Sequence, residues 1–133
     1  MFQLAYISSS KDPVDQILLD QILSVSRRNN ERVGVTGLLV SGGRRFLQVL
    51  EGPEQAVLAT YTRIQRDDRH RAFVILSATP VQERAFGDWS MAYSDGQTGG
   101  EFEKLVAALV DKITDPNLRA QFTGFAKLHS RAA

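Results

Sequence analysis

The chain has 133 residues, the size of one ordinary domain, and it is 43% hydrophobic and 23% charged, as a soluble globular protein is and a disordered one is not. Its 16 basic and 15 acidic residues leave a net charge of +1, which gives no electrostatic case for nucleic acid or an anionic membrane. Cysteine is absent, which excludes disulfides, thiolate metal sites and cysteine nucleophiles, and two histidines far apart in sequence give no expectation of a metal centre.

FQLAYISSS (2–10) alternates, with Phe2, Leu4, Tyr6 and Ser8 on one face and Ala5 and Ile7 on the other, so a strand is predicted. Asp12-Pro13 then opens a helix with the stripe Val14, Ile17, Leu18, Ile22 and Val25, running to about Asn30. VTGLLVS (35–41) is a second strand, Gly42-Gly43 a turn, and RRFLQVLE (44–51) a third strand. Glu51-Gly52-Pro53 is expected to start a second helix that turns Val57, Leu58, Tyr61 and Ile64 toward a core. AFVILSAT (72–79) is a fourth strand closed by Pro80, and Gly87 to Tyr93 a fifth.

This order gives an α+β fold: a ferredoxin-like β-α-β-β-α-β sandwich with an extra fifth strand. The first and third strands should be central, with both helices on one sheet face. The other face would carry Ala5, Ile7, Leu47, Val49, Val74 and Leu76 and would need a cover. After DGQTGG (95–100), a helix with Phe102, Leu105, Val106, Leu109, Val110 and Ile113, then one with Leu118, Phe122 and Phe125, supply that cover as a C-terminal helical cap. The division expected is a core over 1–94 and a linker with cap or output helices over 95–133.

No apolar run approaches the roughly 18 residues of a membrane span, and the N-terminal stretch does not read as a signal peptide, so a cytoplasmic location is expected. No nucleophile elbow, phosphate loop or dinucleotide fingerprint is present, and no repeat. The chemistry concentrates elsewhere. Tyr6 shares the two-helix face with Gln48, which sits between Phe46 and Leu50, and Ser26, Asn29 and Asn30 fall beside the stripe of the first helix. Each has an ordinary explanation alone: a core tyrosine, a solvated strand amide, residues at a helix end. Together they outline a polar pocket in a core, suited to a flat ligand edged with carbonyls and ring nitrogens.

AYISS, SRRNN with RVGVTGLLV, RFLQVLEGP, RDDRHRAF and FGDWSM, in this order over about residues 2–93, resemble the BLUF domain, a flavin-binding blue-light sensor. The resemblance implies the ferredoxin-like fold and a non-covalently bound flavin, FAD or FMN. It implies that Tyr6 is the photoactive tyrosine and Gln48 the glutamine between it and the flavin. Asn30 would hold a flavin carbonyl, Asn29 and Ser26 further pocket positions, and Arg63 a place near the flavin side chain and phosphate. Phe46, Ile22 and Ile64 would line the ring, and Trp89 and Met91 would be the pair that exchanges places near Gln48. Asp67-Asp68-Arg69-His70, where the family often has Asp-Pro-Arg-His, is expected outside the ring pocket.

The function implied is photoreception rather than enzymatic turnover. Light would drive proton-coupled electron transfer from Tyr6 and rearrange the Gln48 hydrogen bonds, with output through a protein partner. About 40 residues follow the match, which resembles the short single-domain class, and the apolar tail helices lead us to expect a homo-oligomer. Two rivals stand beside it: a flavin-dependent redox enzyme on the same fold, and a flavin-free ferredoxin-like interaction domain.

Overall fold

The computed structural model describes residues 1–11, 16–87, 90–94 and 101–129, with side chains other than those at 16, 19, 23, 26, 27, 90–94, 101 and 129. Its elements are β1 (Phe2–Ser10), α1 (Gln16–Glu31), β2 (Thr36–Gly42), β3 (Arg45–Gly52), α2 (Glu54–Gln65), β4 (His70–Pro80), β5 (Ser90–Ser94), α3 (Glu101–Leu109) and α4 (Pro116–His129). The sheet order is β4-β1-β3-β2-β5, so β1 and β3 are central as the element order predicts. The first four strands pair antiparallel, and β5 joins the β2 edge in parallel. β2 and β3 approach so closely at Gly37 that an added Cβ would lie 1.9 Å from the Val49 carbonyl oxygen, which only glycine avoids.

Period-two alternation divides the sheet into two cores. On one face Leu4, Tyr6 and Leu50 pack with Val35 and with Val57 and Tyr61 of α2. On the other, Ala5, Leu38, Val40, Leu47 and Val49 meet Phe102 and Val106 of α3 and Leu118, Phe122 and Phe125 of α4. The tail helices therefore cover the second face, and Val110 and Ile113, just past α3, join the same core.

Several expectations need correction. The helix start expected at Glu51-Gly52-Pro53 comes later: Glu51 ends the third strand as expected, but Gly52 continues it, because the ladder to Gln3 and Phe2 of β1 runs through both. Pro53, which has no N–H to donate, stops the ladder, and its φ of −57° suits the entry to α2 at Glu54. Leu58 and Leu105 are exposed, since the stripes that bury Val57 and Tyr61, or Phe102 and Val106, are narrower than the apolar runs. Ile17 and Val25 of α1 are exposed too, leaving Ile22 as the buried apolar residue of that stripe among those described. Val74 pairs with Ile7 on the capped face but is 54% exposed, because β4 is the sheet edge with a neighbour on one side only. β4 begins at His70, two residues earlier than expected, and β5 covers Ser90–Ser94 rather than 87–93. Val14, Trp89 and the segment 95–100 lie outside the described residues.

Candidate functional site

The site starts from one cross-strand pair. Tyr6 of β1 and Gln48 of β3 lie directly opposite in register, so they share the face that meets α2. The Tyr6 hydroxyl donates to Gln48 Oε1. Register extends the line across the sheet: Gln48 pairs with Leu39 of β2, and Leu39 with Met91 of β5. The Met91 side chain itself lies outside the described residues.

Tyr6 is fully buried, with the rings of Tyr61 and Phe73 centred 4.9 Å and 5.7 Å away. Burial first, and the neighbouring Tyr61 phenol second, push its pKa far above the ordinary phenol value. The neutral phenol is therefore strongly held, and a phenolate here is costly.

The last turn of α1 brings the next polar group. The Asn30 carbonyl accepts from the Val33 and Val35 N–H groups at 3.1 Å and 3.0 Å, which fixes the chain as it turns toward β2. Its side chain is buried, and Oδ1 accepts from Arg63 Nη2 of α2 at 3.2 Å. Asn30 Nδ2 is the buried side-chain donor that has no partner among the described residues. Leaving such a donor unpaired costs about 1–3 kcal/mol, so it asks for an acceptor.

A cavity of about 80 Å³ opens beside these groups. Ile22, Val25, Asn29 and Asn30 of α1 line it on one side, Gln48 at the sheet, and Arg63 and Ile64 of α2 opposite. Phe46 and Tyr6 are not among its walls: Tyr6 reaches it through Gln48, and Phe46 backs it through His70, ring centres 4.8 Å apart. The Ser26 side chain and Trp89 lie outside the described residues.

Asp67, Arg69 and His70 also line the cavity, which corrects the expectation that this loop lies outside the pocket. Two physical signals account for the miss. The α2 stripe Val57, Tyr61, Ile64, continued one turn past the helix end, arrives at Asp67. His70 and Phe73, three residues apart, would face opposite ways in a regular strand. A bulge in β4 opposite Ser8, with Ala72 at φ +56°, puts them on the same side, ring centres 6.1 Å apart. His70 Nδ1 lies 3.5 Å from Ser8 Oγ, and burial holds its pKa below the ordinary imidazole value. Arg69 forks onto Asp67 with contacts of 2.6–3.1 Å, which keeps that carboxyl below the usual carboxylate range despite partial burial.

A flavin fits these residues by donor chemistry. Its ring carbonyls would satisfy Asn30 Nδ2, the Gln48 carboxamide would suit its ring nitrogens, and Ile22, Val25 and Ile64 would offer it apolar surface. The cavity between the described residues is smaller than the roughly 300 Å³ from which ligand pockets usually begin, so a tricyclic ring would need more room than these walls leave. The exposed α1 stripe residue Val25 at the cavity wall is the side chain such a ring would cover.

The described residues hold no group of three or more His, Asp or Glu able to bind a metal, and no helix among them is long and apolar enough to cross a membrane. The family model for sensors of blue light using FAD matches residues 1–92. A photoactivated adenylate cyclase subunit beta from Euglena longa is 35% identical over 103 residues, 77% of this chain and 12% of that protein. The blue light- and temperature-regulated antirepressor BluF of Escherichia coli (strain K12) is 33% identical over 111 residues, 84% of this chain and 27% of its own length. The chain thus spans about an eighth of the cyclase relatives it matches. The dark-state structure of BlrB, a BLUF protein, superposes with a TM-score of 0.71 at 25% identity, covering 96% of each chain. Residues 1–92 make this chain a member of the BLUF family of flavin-binding blue-light sensors.

Proposed function

We propose that Tyr6 and Gln48 are the photoactive pair of this sensor and that Asn30, Asn29, Arg63, Ile22, Ile64 and Ser26 hold the flavin, FAD in preference to FMN. The observation that carries this reading is the unpartnered, buried Asn30 Nδ2 at a cavity shared with Gln48, whose Oε1 already accepts the Tyr6 proton. When bound, the flavin supplies blue-light absorption and, once excited, the capacity to take an electron from a nearby phenol. Tyr6 gives up that electron, and because a charged phenol is disfavoured in this site its proton moves to Gln48 Oε1. Gln48 can pass on a proton because its carboxamide both accepts and donates. When the electron returns to Tyr6 the proton returns to its phenol oxygen, and Gln48, whose carboxamide has turned meanwhile, is left with a different set of partners; that rearrangement is the signal. Arg63 positions Asn30 through the 3.2 Å hydrogen bond. Arg69 keeps Asp67 ionised at the cavity wall, where its carboxylate would be an acceptor for hydroxyl groups of a bound flavin side chain.

The chain acts as a sensor and not as a catalyst. Its strand β5 and tail helices carry the change to a protein partner, in a cytoplasmic homo-oligomer, with residues 1–94 as sensing core and 95–133 as output segment. Trp89 and Met91 are the nearest candidates for the element that moves. Purified protein should be yellow, shift its flavin band to the red under blue light and recover in the dark. Tyr6→Phe should retain flavin and lose the shift. Flavin released by heat and separated chromatographically should be FAD. A yellow wild type with no reversible shift would sink the reading, and a chromatogram showing FMN alone would overturn the cofactor assignment.

A further inference from the structure

Glu51 is fully buried on the capped face of β3, three residues beyond Gln48 and on the opposite side of the sheet. Its carboxylate accepts from Gln3 Nε2 at 2.7 Å, from the Ala85 N–H at 3.0 Å and from the Phe86 N–H at 2.8 Å. The Arg84 guanidinium bonds elsewhere on the same ledge. Arg84 donates to Thr36 Oγ1 at 2.7 Å, to the Glu51 carbonyl at 3.1 Å and to the Gly34 carbonyl at 2.7 Å. Thr36 Oγ1 in turn donates to the Phe86 carbonyl at 2.6 Å, and the Phe86 side chain is buried in the capped core. The chain at 84–86 is thereby fastened to the ends of β1, β2 and β3 by side chains rather than by a ladder.

This segment leads, after Gly87 and two further residues, into β5. β5 is five residues long and pairs with β2 on one side only. Its register sets Met91 beside Leu39 and so in line with Gln48 and Tyr6. A short edge strand with one ladder partner depends on its remaining supports, here α3 and the chain that leads into it.

We infer that Glu51 is a positioning residue for the light response: its carboxylate, with Arg84, fixes the chain entering β5 and so holds Met91 in register with Gln48. The inference rests on the blue-light reading above. Glu51 touches neither flavin nor the Tyr6–Gln48 pair. It supplies the fixed end against which a rearrangement at Gln48 displaces β5, instead of being absorbed by slack in the 84–86 segment. A carboxylate suits this because all its partners are donors, and charge-assisted bonds to backbone N–H groups are the stronger kind. Glu51→Gln preserves size but turns an NH2 toward one of those donors.

The test is amide hydrogen exchange, read in the dark and under blue light, on flavin-loaded wild type, Glu51→Gln, Arg84→Gln and Val110→Ala. Val110 is buried in the same capped core as Phe86 but makes none of the fastening's hydrogen bonds, so it controls for general loosening. In wild type, light should change exchange at Phe86 and residues 90–94. In Glu51→Gln and Arg84→Gln the red shift should remain. Dark exchange there should rise about tenfold or more, and the light-minus-dark difference should vanish. Val110→Ala should keep that difference. Arg84→Gln carries the same outcomes should Glu51→Gln not fold. A wild-type-like light-minus-dark difference in the Glu51 and Arg84 variants overturns the inference, as does its equal loss in Val110→Ala. A wild type that shifts its spectrum with no change at 86–94 overturns this inference alone, whereas a wild type without a reversible shift overturns the sensor reading.

Discussion

β3 carries two buried polar side chains three residues apart, Gln48 on the face covered by α2 and Glu51 on the face covered by α3 and α4. Among the described residues Glu51 meets three donors, two of them backbone N–H groups. Gln48 meets one hydroxyl, faces a cavity, and shares that cavity with an Asn30 amide that has no partner among the described residues. The same strand thus holds a saturated polar group and an unsaturated neighbourhood. A buried polar group with every partner in place is architecture. One whose neighbours still lack partners marks where a polar ligand belongs.

The contrast can be broken first at Gln48. Gln48→Leu fills the same space without an amide, so the reversible red shift should be lost completely while the protein still folds and binds flavin. Absorbance before and after blue light measures it, and a persisting shift would remove Gln48 from the photoactive pair. Next in size is the opposite face. Phe122 is fully buried against the sheet, and Phe122→Ala should cost about 3–5 kcal/mol in a urea melt. In the fraction that remains folded, the red shift should be unchanged. If Phe122→Ala abolished the shift in folded protein, the two faces would not be separable.

Asn30→Ala should weaken flavin binding by about 1–3 kcal/mol, roughly 5- to 150-fold in Kd by fluorescence titration. Its effect on apoprotein stability should be small by comparison, because the donor it removes is already unpaired and the acceptor it removes serves Arg63, which is exposed and can bond water instead. Equal loss in both measurements would make Asn30 a helix-end residue and nothing more.

The pH response sharpens the same contrast. Burial lowers the folded-state pKa of His70, with Asp67 opposing and Arg69 adding to that shift, while the unfolded chain titrates near 6.5. As pH falls below 6.5 the unfolded chain takes a proton that the folded chain refuses, so stability declines toward lower pH. His70→Gln should flatten that part of the stability–pH curve. At the alkaline end the sign reverses: the Tyr6 pKa is raised, so stability should fall as pH rises above the ordinary phenol value of 10. Chemical denaturation across pH in wild type and His70→Gln separates the two limbs.

The element order was legible from periodicity, and so were the central pairing of β1 with β3 and the cover supplied by Phe102, Phe122 and Phe125. Tyr6 and Gln48 could be placed on one face of neighbouring strands because both strands keep strict alternation there; that they lie directly opposite is a matter of register, which alternation does not encode. What failed to show was whatever alternation does not encode. Glu51 reads as a helix-start residue until one knows that the chain at 85–86 returns to meet its carboxylate from 34 and 35 residues away. Asp67 and Arg69 lie past a helix end, where no period continues. His70 has the wrong parity for the site until a bulge corrects it.

That bulge carries the smallest prediction. Ala72 sits at φ +56°, a left-handed conformation that costs a non-glycine residue about 1–2 kcal/mol. Glycine adopts it without that cost but loses more backbone entropy on folding, so Ala72→Gly should be neutral or stabilising by about 1 kcal/mol at most. Ala72→Val adds β-branching at the same φ and should destabilise, because relaxing to an ordinary strand would turn His70 away from Phe73 and the cavity. Flavin affinity should follow the same order, Gly at or above wild type and Val below it. If Ala72→Val bound flavin as wild type does, the bulge would be a sheet-edge feature with no part in shaping the site, and the polar face would be built from β1, β3 and the two helices alone.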